Sequence, residues 1–230
     1  MKHKPTLISD FRTYFGGLSA ILFIGALYLL ANGKTESFML LNNYHPFYLN
    51  VFFINYTFIG DGIFALCLIA FTVFYLKKRK AGLAMLCCFL TSGLVVQVIK
   101  NLVYSPRPKL FFEAGQYLNF IENVTLSGHS SFPSGHTATA FAMATVLVLL
   151  IKNKRLQLPV LMAATLVGYS RIYLAQHFLL DVLIGAGIGS ACGLLSYYMV
   201  REYRTIILFF KKINFLQTKN RNSESNVQTV

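Results

Sequence analysis

Long apolar runs separated by short basic clusters constrain this chain more than any other feature. A helix needs about 20 mostly apolar residues to cross the hydrocarbon core of a bilayer. Six stretches approach that length, at about 14–31, 58–76, 81–103, 137–151, 158–175 and 179–200. The fourth is the shortest, and an earlier start is open to the second because 47–59 is already rich in aromatics. Charged residues make up only 13% of the 230, against roughly 25% in an average soluble domain, which excludes a water-soluble globule. The expectation is an all-α, polytopic membrane protein with six transmembrane helices. The first run is longer than a signal-peptide core and lacks a small-residue cleavage site, so it is expected to remain as the first span. Residues 1–212 form the expected membrane domain, with its core at about 58–200, and the polar tail 213–230 reads as disordered.

Six spans put both termini on one side. Under that arrangement sixteen Lys and Arg fall on the side of the termini and five on the other, which accounts for all 21. The larger group includes Lys77–Lys80 and the basic residues of 152–155. An excess of this size marks the cytoplasmic side, so the termini are expected in the cytoplasm of a multi-pass cell-membrane protein. The net charge of +13 does not point to nucleic acid, because Lys and Arg sit in short clusters set off by long apolar runs. Cys67, Cys87, Cys88 and Cys192 all lie in apolar runs and read as buried thiols rather than as metal ligands or a disulfide framework.

The five cations on the far side call for a separate explanation. Lys34 lies beside Glu36 and reads as a solvated loop residue. Lys100 lies near the end of the third run, where a charge is costly without a partner or a task. Arg107 follows in the next loop, and Arg171 ends the fifth run. Interfacial snorkelling explains any one of them better than all three. Together they suit an anion with several oxygens, and Arg can grip phosphate with two parallel hydrogen bonds.

On the same side, Phe132-Pro133-Ser134-Gly135-His136 runs directly into an apolar helix. Free N–H groups and the positive end of the helix dipole make such a start an anion site, and Gly135 permits close backbone approach. His136 falls in the first turn. Further on, His177 and Asp181 stand at i and i+4, one turn apart on one helix face. A carboxylate there can hold one ring nitrogen and leave the other free as nucleophile or base. Asp61 reads first as a helix cap that could also border the mouth of a site. His129 reads as an exposed loop histidine, and the aromatics of 44–56 as an interfacial belt.

These blocks resemble the signature of the type 2 phosphatidic acid phosphatase (PAP2) family, whose fold is shared with vanadium haloperoxidases and acid phosphatases. The signature is Lys, six residues, Arg-Pro; then Pro-Ser-Gly-His; then Ser-Arg, five residues, His, three residues, Asp. The chain has Lys100…Arg107-Pro108, Pro133-Ser134-Gly135-His136 and Ser170-Arg171…His177…Asp181, with every position matched. The resemblance implies a PAP2-type helical bundle and metal-independent hydrolysis of a lipid phosphate or pyrophosphate at the outer membrane face, with no cofactor. It implies that His177 attacks phosphorus to form a phosphohistidine, that Asp181 orients it, and that His136 protonates the leaving oxygen. Lys100, Arg107, Arg171, Ser134 and the Gly135 N–H would hold the phosphoryl oxygens. Candidate substrates are undecaprenyl pyrophosphate, lipid A phosphate, phosphatidylglycerophosphate and phosphatidate.

Two other classes fit parts of the pattern. A phosphoryl transferase between lipids would use the same residues. A transporter of anionic lipids would explain the cations but not the His177–Asp181 pair. Nothing in the sequence specifies an oligomeric state.

Overall fold

The structure, a computed structural model, describes residues 10–112, 119–121, 124, 128–151 and 153–227, with side chains in the last helix described to Tyr203. Among the described residues there are helices and no strand, only one isolated bridge between Ser105 and Ser130. Helix α1 is Arg12–Leu41, α2 is Phe47–Tyr56, α3 is Gly62–Ala70 and α4 is Arg79–Leu102. A short α5, Pro108–Phe111, precedes α6, Gly135–Ile151, α7, Lys154–Tyr173, and α8, Leu179–Val227.

Among the described residues three helices are long and apolar enough to cross a membrane: Arg12–Leu41, Arg79–Leu102 and the Leu179–Tyr203 part of α8. The expected second run is a broken pair, Phe47–Gly60 and Gly62–Tyr75, bent by 56°, which would make a fourth span. The early start of this run at Phe47 is seen, but its aromatics form a helix rather than a loop. Phe53 is buried against Tyr173 and Leu174. Large side chains such as Phe23, Leu30, Phe74 and Leu94 are exposed on the outer faces, as suits an integral membrane protein with hydrocarbon as its solvent.

Helix α6 is the hub. It has 17 residues, of which twelve are buried, so it is apolar on all sides and surrounded by α4, α7 and α8. Its closest partner is α8, and the reason is a stripe of glycines. Gly185, Gly189 and Gly193 recur every four residues and so share one face. A Cβ on Gly185 would lie 2.7 Å from the Ser134 carbonyl oxygen, and one on Gly193 2.8 Å from that of Ala142. A Cβ on Gly189 would collide with the Ala138 carbonyl. This small-residue face lets the two backbones touch, as in other membrane helix pairs. Gly189→Ala should therefore force the helices apart and cost about 1–3 kcal/mol of stability. Gly187→Ala, where nothing lies within 4 Å, should be neutral. Thermal unfolding in detergent checks both, and equal melting temperatures for the two variants would refute the close-packing account.

The other end of the bundle is basic. Tyr14 of α1 donates from its N–H to Gln157 Oε1 at 3.2 Å, and its hydroxyl pairs with Thr145 at 2.9 Å. These bonds tie the start of α1 to the end of α6 and the start of α7. Lys80, Leu150 and Arg201 line one cavity at this end. The expected start of the fifth run at 158 is too late, because Asn153 caps α7 by accepting from the Arg155 N–H at 3.0 Å. The polar tail drawn at 213–230 falls where no side chain is described, and 228–230 lie outside the described residues.

Lys34 is not in a loop. Gly33, at φ 74°, interrupts α1, and the helix resumes through Lys34 to Leu41. The Lys34 ammonium then lies 4.1 Å from the Phe178 ring centroid and 4.5 Å from that of Phe111.

Candidate active site

The site is assembled at the end of the bundle opposite the basic loops, from the end of α4, the starts of α6 and α8, and the end of α7. Helix α6 opens on Ser134, whose Oγ accepts from Thr137 Oγ1 at 2.8 Å and from the Thr137 N–H at 3.4 Å. Ser134 is thus an N-cap, and its own N–H donates to the Asp181 carbonyl at 3.0 Å, locking the two helix starts together. Gly135 is the first helical residue, so its N–H lacks an intrahelical acceptor. His136 is in the first turn, with its side chain one third exposed.

Asp181 is built in as a capping residue. It stands three positions after Phe178, the residue before α8, and its Oδ2 accepts the Phe178 N–H at 3.0 Å. The same oxygen accepts from Ser131 Oγ at 2.5 Å and lies 3.5 Å from His177 Nδ1. Ordinary helix-start chemistry therefore also aims a carboxylate at the imidazole. The His177 and Gln176 N–H groups both donate to the Arg171 carbonyl, at 3.2 and 2.9 Å, in a turn where Ala175 has φ 50°. The Nε2 of His177 has no partner among the described residues. Burial pushes the imidazole pKa down to about 4, against the opposing pull of Asp181, so the ring is neutral at physiological pH.

The three cations gather around this pair. Lys100 Nζ donates to the Ser130 carbonyl at 2.8 Å, Arg107 Nη1 to Gln176 Oε1 at 2.6 Å, and Arg171 Nη1 to Thr57 Oγ1 at 2.6 Å. Burial lowers the pKa of Arg107, but the guanidinium keeps its proton. Arg171 is 6% exposed, and its Nε is buried without a hydrogen-bond partner. None of the three cations forms an ion pair with a carboxylate at salt-bridge distance among the described residues. All eight residues expected from the sequence thus lie on the elements that meet at this end.

Several contributors had escaped the sequence reading. Ser131 reaches Asp181 because the stretch after Tyr104 runs beside 128–131: Ser105 N donates to the His129 carbonyl, Ser131 N to that of Ser105, and Arg107 N to that of Gly128. Gln176 holds Arg107 and donates to the Val124 carbonyl at 2.6 Å. Thr57 holds Arg171. Only Gln176, beside His177, had a positional hint. His129 is exposed as expected and pairs with Tyr104, its Nδ1 2.7 Å from the phenol oxygen.

The chain is similar in sequence and fold to known proteins. Residues 81–205 match the model of the PAP2 superfamily. The chain is 31% identical over 177 residues to phosphatidylglycerophosphatase B of Bacillus subtilis, covering 72% of this chain and 80% of that protein. The crystal structure of Aquifex aeolicus LpxE is similar at a TM-score of 0.63 and 32% identity, covering 71% of this chain and 93% of that one. That of a transmembrane PAP2 type phosphatidylglycerolphosphate phosphatase from Bacillus subtilis is similar at a TM-score of 0.56 and 27% identity, covering 84% and 96%. With its three sequence blocks inside the matched region and its fold shared with both solved structures, the chain belongs to the PAP2 superfamily, as an integral membrane hydrolase of the lipid phosphatase kind.

Proposed function

We propose that the protein hydrolyses a lipid phosphate or pyrophosphate without a metal, through a phosphohistidine on His177. The observation that carries this reading is the pairing of a buried, neutral imidazole with three cations that, among the described residues, have no carboxylate at ion-pair distance, one of which, Arg171, keeps a buried Nε unsatisfied. A buried donor without a partner is costly, and a phosphoryl oxygen would satisfy it. Lys100, Arg107, Arg171 and the Gly135 N–H hold the phosphoryl group and take up its transition-state charge. Ser134 Oγ accepts from Thr137, which leaves its own O–H to donate to a phosphoryl oxygen.

The His177 Nε2 lone pair attacks phosphorus as the P–O bond to the lipid breaks. The leaving oxygen takes a proton from His136. Water then attacks phosphorus and gives a proton to His136 as the P–N bond breaks, which releases inorganic phosphate and returns His177 as the neutral ring. Asp181 keeps the proton on Nδ1 throughout. An apolar cavity of about 280 Å3 is lined by Ile59, Phe64, Ala140 and Ala144 among others, and Ala140 is one helical turn from His136. It suits the hydrocarbon chain that departs with the leaving oxygen.

The orientation is part of the proposal. The Lys and Arg excess supports six spans, cytoplasmic termini and an active site on the outer face. The two shortfalls from six clear spans are α6, short and enclosed by protein, and α7, whose first turns carry Lys154, Arg155 and Gln157.

A donor set with three cations repels a divalent metal. Purified protein in detergent with EDTA is therefore expected to release inorganic phosphate from at least one of four lipids: phosphatidylglycerophosphate, phosphatidate, lipid A and undecaprenyl pyrophosphate. Vanadate, which mimics the five-coordinate phosphoryl group, should inhibit. Activity that EDTA abolishes and a divalent cation restores would overturn the metal-free mechanism. No release from any of the four would overturn hydrolysis.

A further inference from the structure

We propose that Asp61 is a positioning residue for the general acid, holding the His136 ring and balancing the charge of its protonated form. This rests on the reading of His136 as the acid. The Asp61 carboxylate faces two ways. Its Oδ1 accepts the Ile63 N–H at 2.8 Å and caps α3, while its Oδ2 lies 3.6 Å from His136 Nε2. That is ion-pair distance, and a small side-chain rotation closes it to a hydrogen bond. The other ring nitrogen, Nδ1, has no partner among the described residues.

The backbone is shaped to make this approach. A 3-10 turn, Thr57–Gly60, delivers Asp61, and a Cβ on Gly60 would lie 2.9 Å from the His136 carbonyl oxygen and 2.6 Å from the Val167 side chain. Only glycine lets the turn sit against the start of α6. The same turn supplies Thr57 to Arg171. One segment thus touches both a phosphate-binding cation and the acid.

The need for an anion follows from the surroundings. His136 faces Lys100 from α4, Arg107 from the following loop, Arg171 from α7 and His177 from the turn before α8, and all of these repel a proton on its ring when charged. An acid must carry a proton at the moment the P–O bond breaks. Among the described residues Asp61 is the carboxylate at ion-pair distance from this ring, and it stands to His136 as Asp181 stands to His177.

Capping and charge can be separated by one substitution. Asn caps a helix start as well as Asp does, so Asp61→Asn keeps the bond to Ile63 and removes only the charge. An alkyl phosphate lipid needs its leaving oxygen protonated, whereas p-nitrophenyl phosphate does not. The expected result is a fall in kcat of about 10- to 100-fold on the lipid. The fall on p-nitrophenyl phosphate should be at least about tenfold smaller, because its leaving group dispenses with the acid. Equal losses on both substrates, or no loss on either, would overturn the role of Asp61. His136→Asn run beside it separates the two claims. If that variant shows the leaving-group dependence and Asp61→Asn does not, only the Asp61 inference fails. If His136→Asn shows none, the acid assignment falls, and the Asp61 role with it.

Discussion

His177→Ala is expected to lower lipid phosphate hydrolysis by about 10⁴-fold or more, since it deletes the atom proposed to attack phosphorus. The site offers no substitute. In the proposed mechanism His136 is engaged as the acid, and Ser131 Oγ donates to Asp181 rather than standing free. The variant should still fold, because the 2%-exposed imidazole makes no hydrogen bond from Nε2 and its backbone N–H bond to the Arg171 carbonyl is untouched. A second readout separates chemistry from folding. Wild-type protein quenched during turnover of a ³²P-labelled lipid should carry acid-labile, base-stable phosphate, the signature of a P–N bond, and the variant should carry none. A variant that keeps activity within about tenfold of wild type would end the nucleophile assignment.

The residues of this mechanism were legible in the sequence because each needs a fixed spacing on a regular element or next to one. His177 and Asp181 stand one helical turn apart, and Ser134, Gly135 and His136 form a helix start with its cap. Lys100 and Arg171 drew attention through chemistry alone, as charges at the ends of apolar runs. The glycine face of α8 was equally readable, a four-residue repeat in plain view. Its importance emerges only when the Ala138 carbonyl is seen lying against Gly189.

What stayed hidden depends on irregular backbone. Ser131 meets Asp181 only because 105–107 runs beside 128–131, a pairing between two loop segments with no periodicity to announce it. Lys34 was misread because a charged residue after Gly33 looks like a loop. A single glycine at φ 74° instead redirects the helix and lets it continue, with the ammonium over two aromatic rings. Asp61 was legible as a cap, and it is one. That it also faces His136 follows from the 56° bend between the two halves of the broken second run, which no local pattern encodes.

Asp181→Asn should be the second most damaging change, and for a reason unlike the loss of His177. The amide is nearly the same size as the carboxylate, and its carbonyl oxygen can still accept from Ser131 Oγ and the Phe178 N–H, so the start of α8 is preserved. That oxygen is also the one 3.5 Å from His177 Nδ1, so the ring still meets an acceptor and keeps its Nδ1 proton. What is lost is the negative charge that balances the ring as Nε2 bonds to phosphorus in the proposed mechanism, and a loss of about 10²- to 10³-fold is expected. The loss should fall on kcat, with KM nearly unchanged, because the proposed phosphate ligands Lys100, Arg107 and Arg171 are untouched. Nitrogen-15 spectra of the labelled histidine in micelles check the cause. At pH 6, wild-type His177 should be neutral with its proton on Nδ1, since burial holds its pKa near 4, and the variant should be neutral with its proton still on Nδ1. The sign for stability follows from the same shift. The unfolded ring binds a proton from about pH 6.5 downward and the folded ring only near 4, so acidification through that window favours unfolding. A wild-type His177 that titrates at or above 6.5 would contradict this burial, and an Asp181→Asn variant with its proton on Nε2 would show that the amide has turned and that the loss is one of tautomer rather than charge.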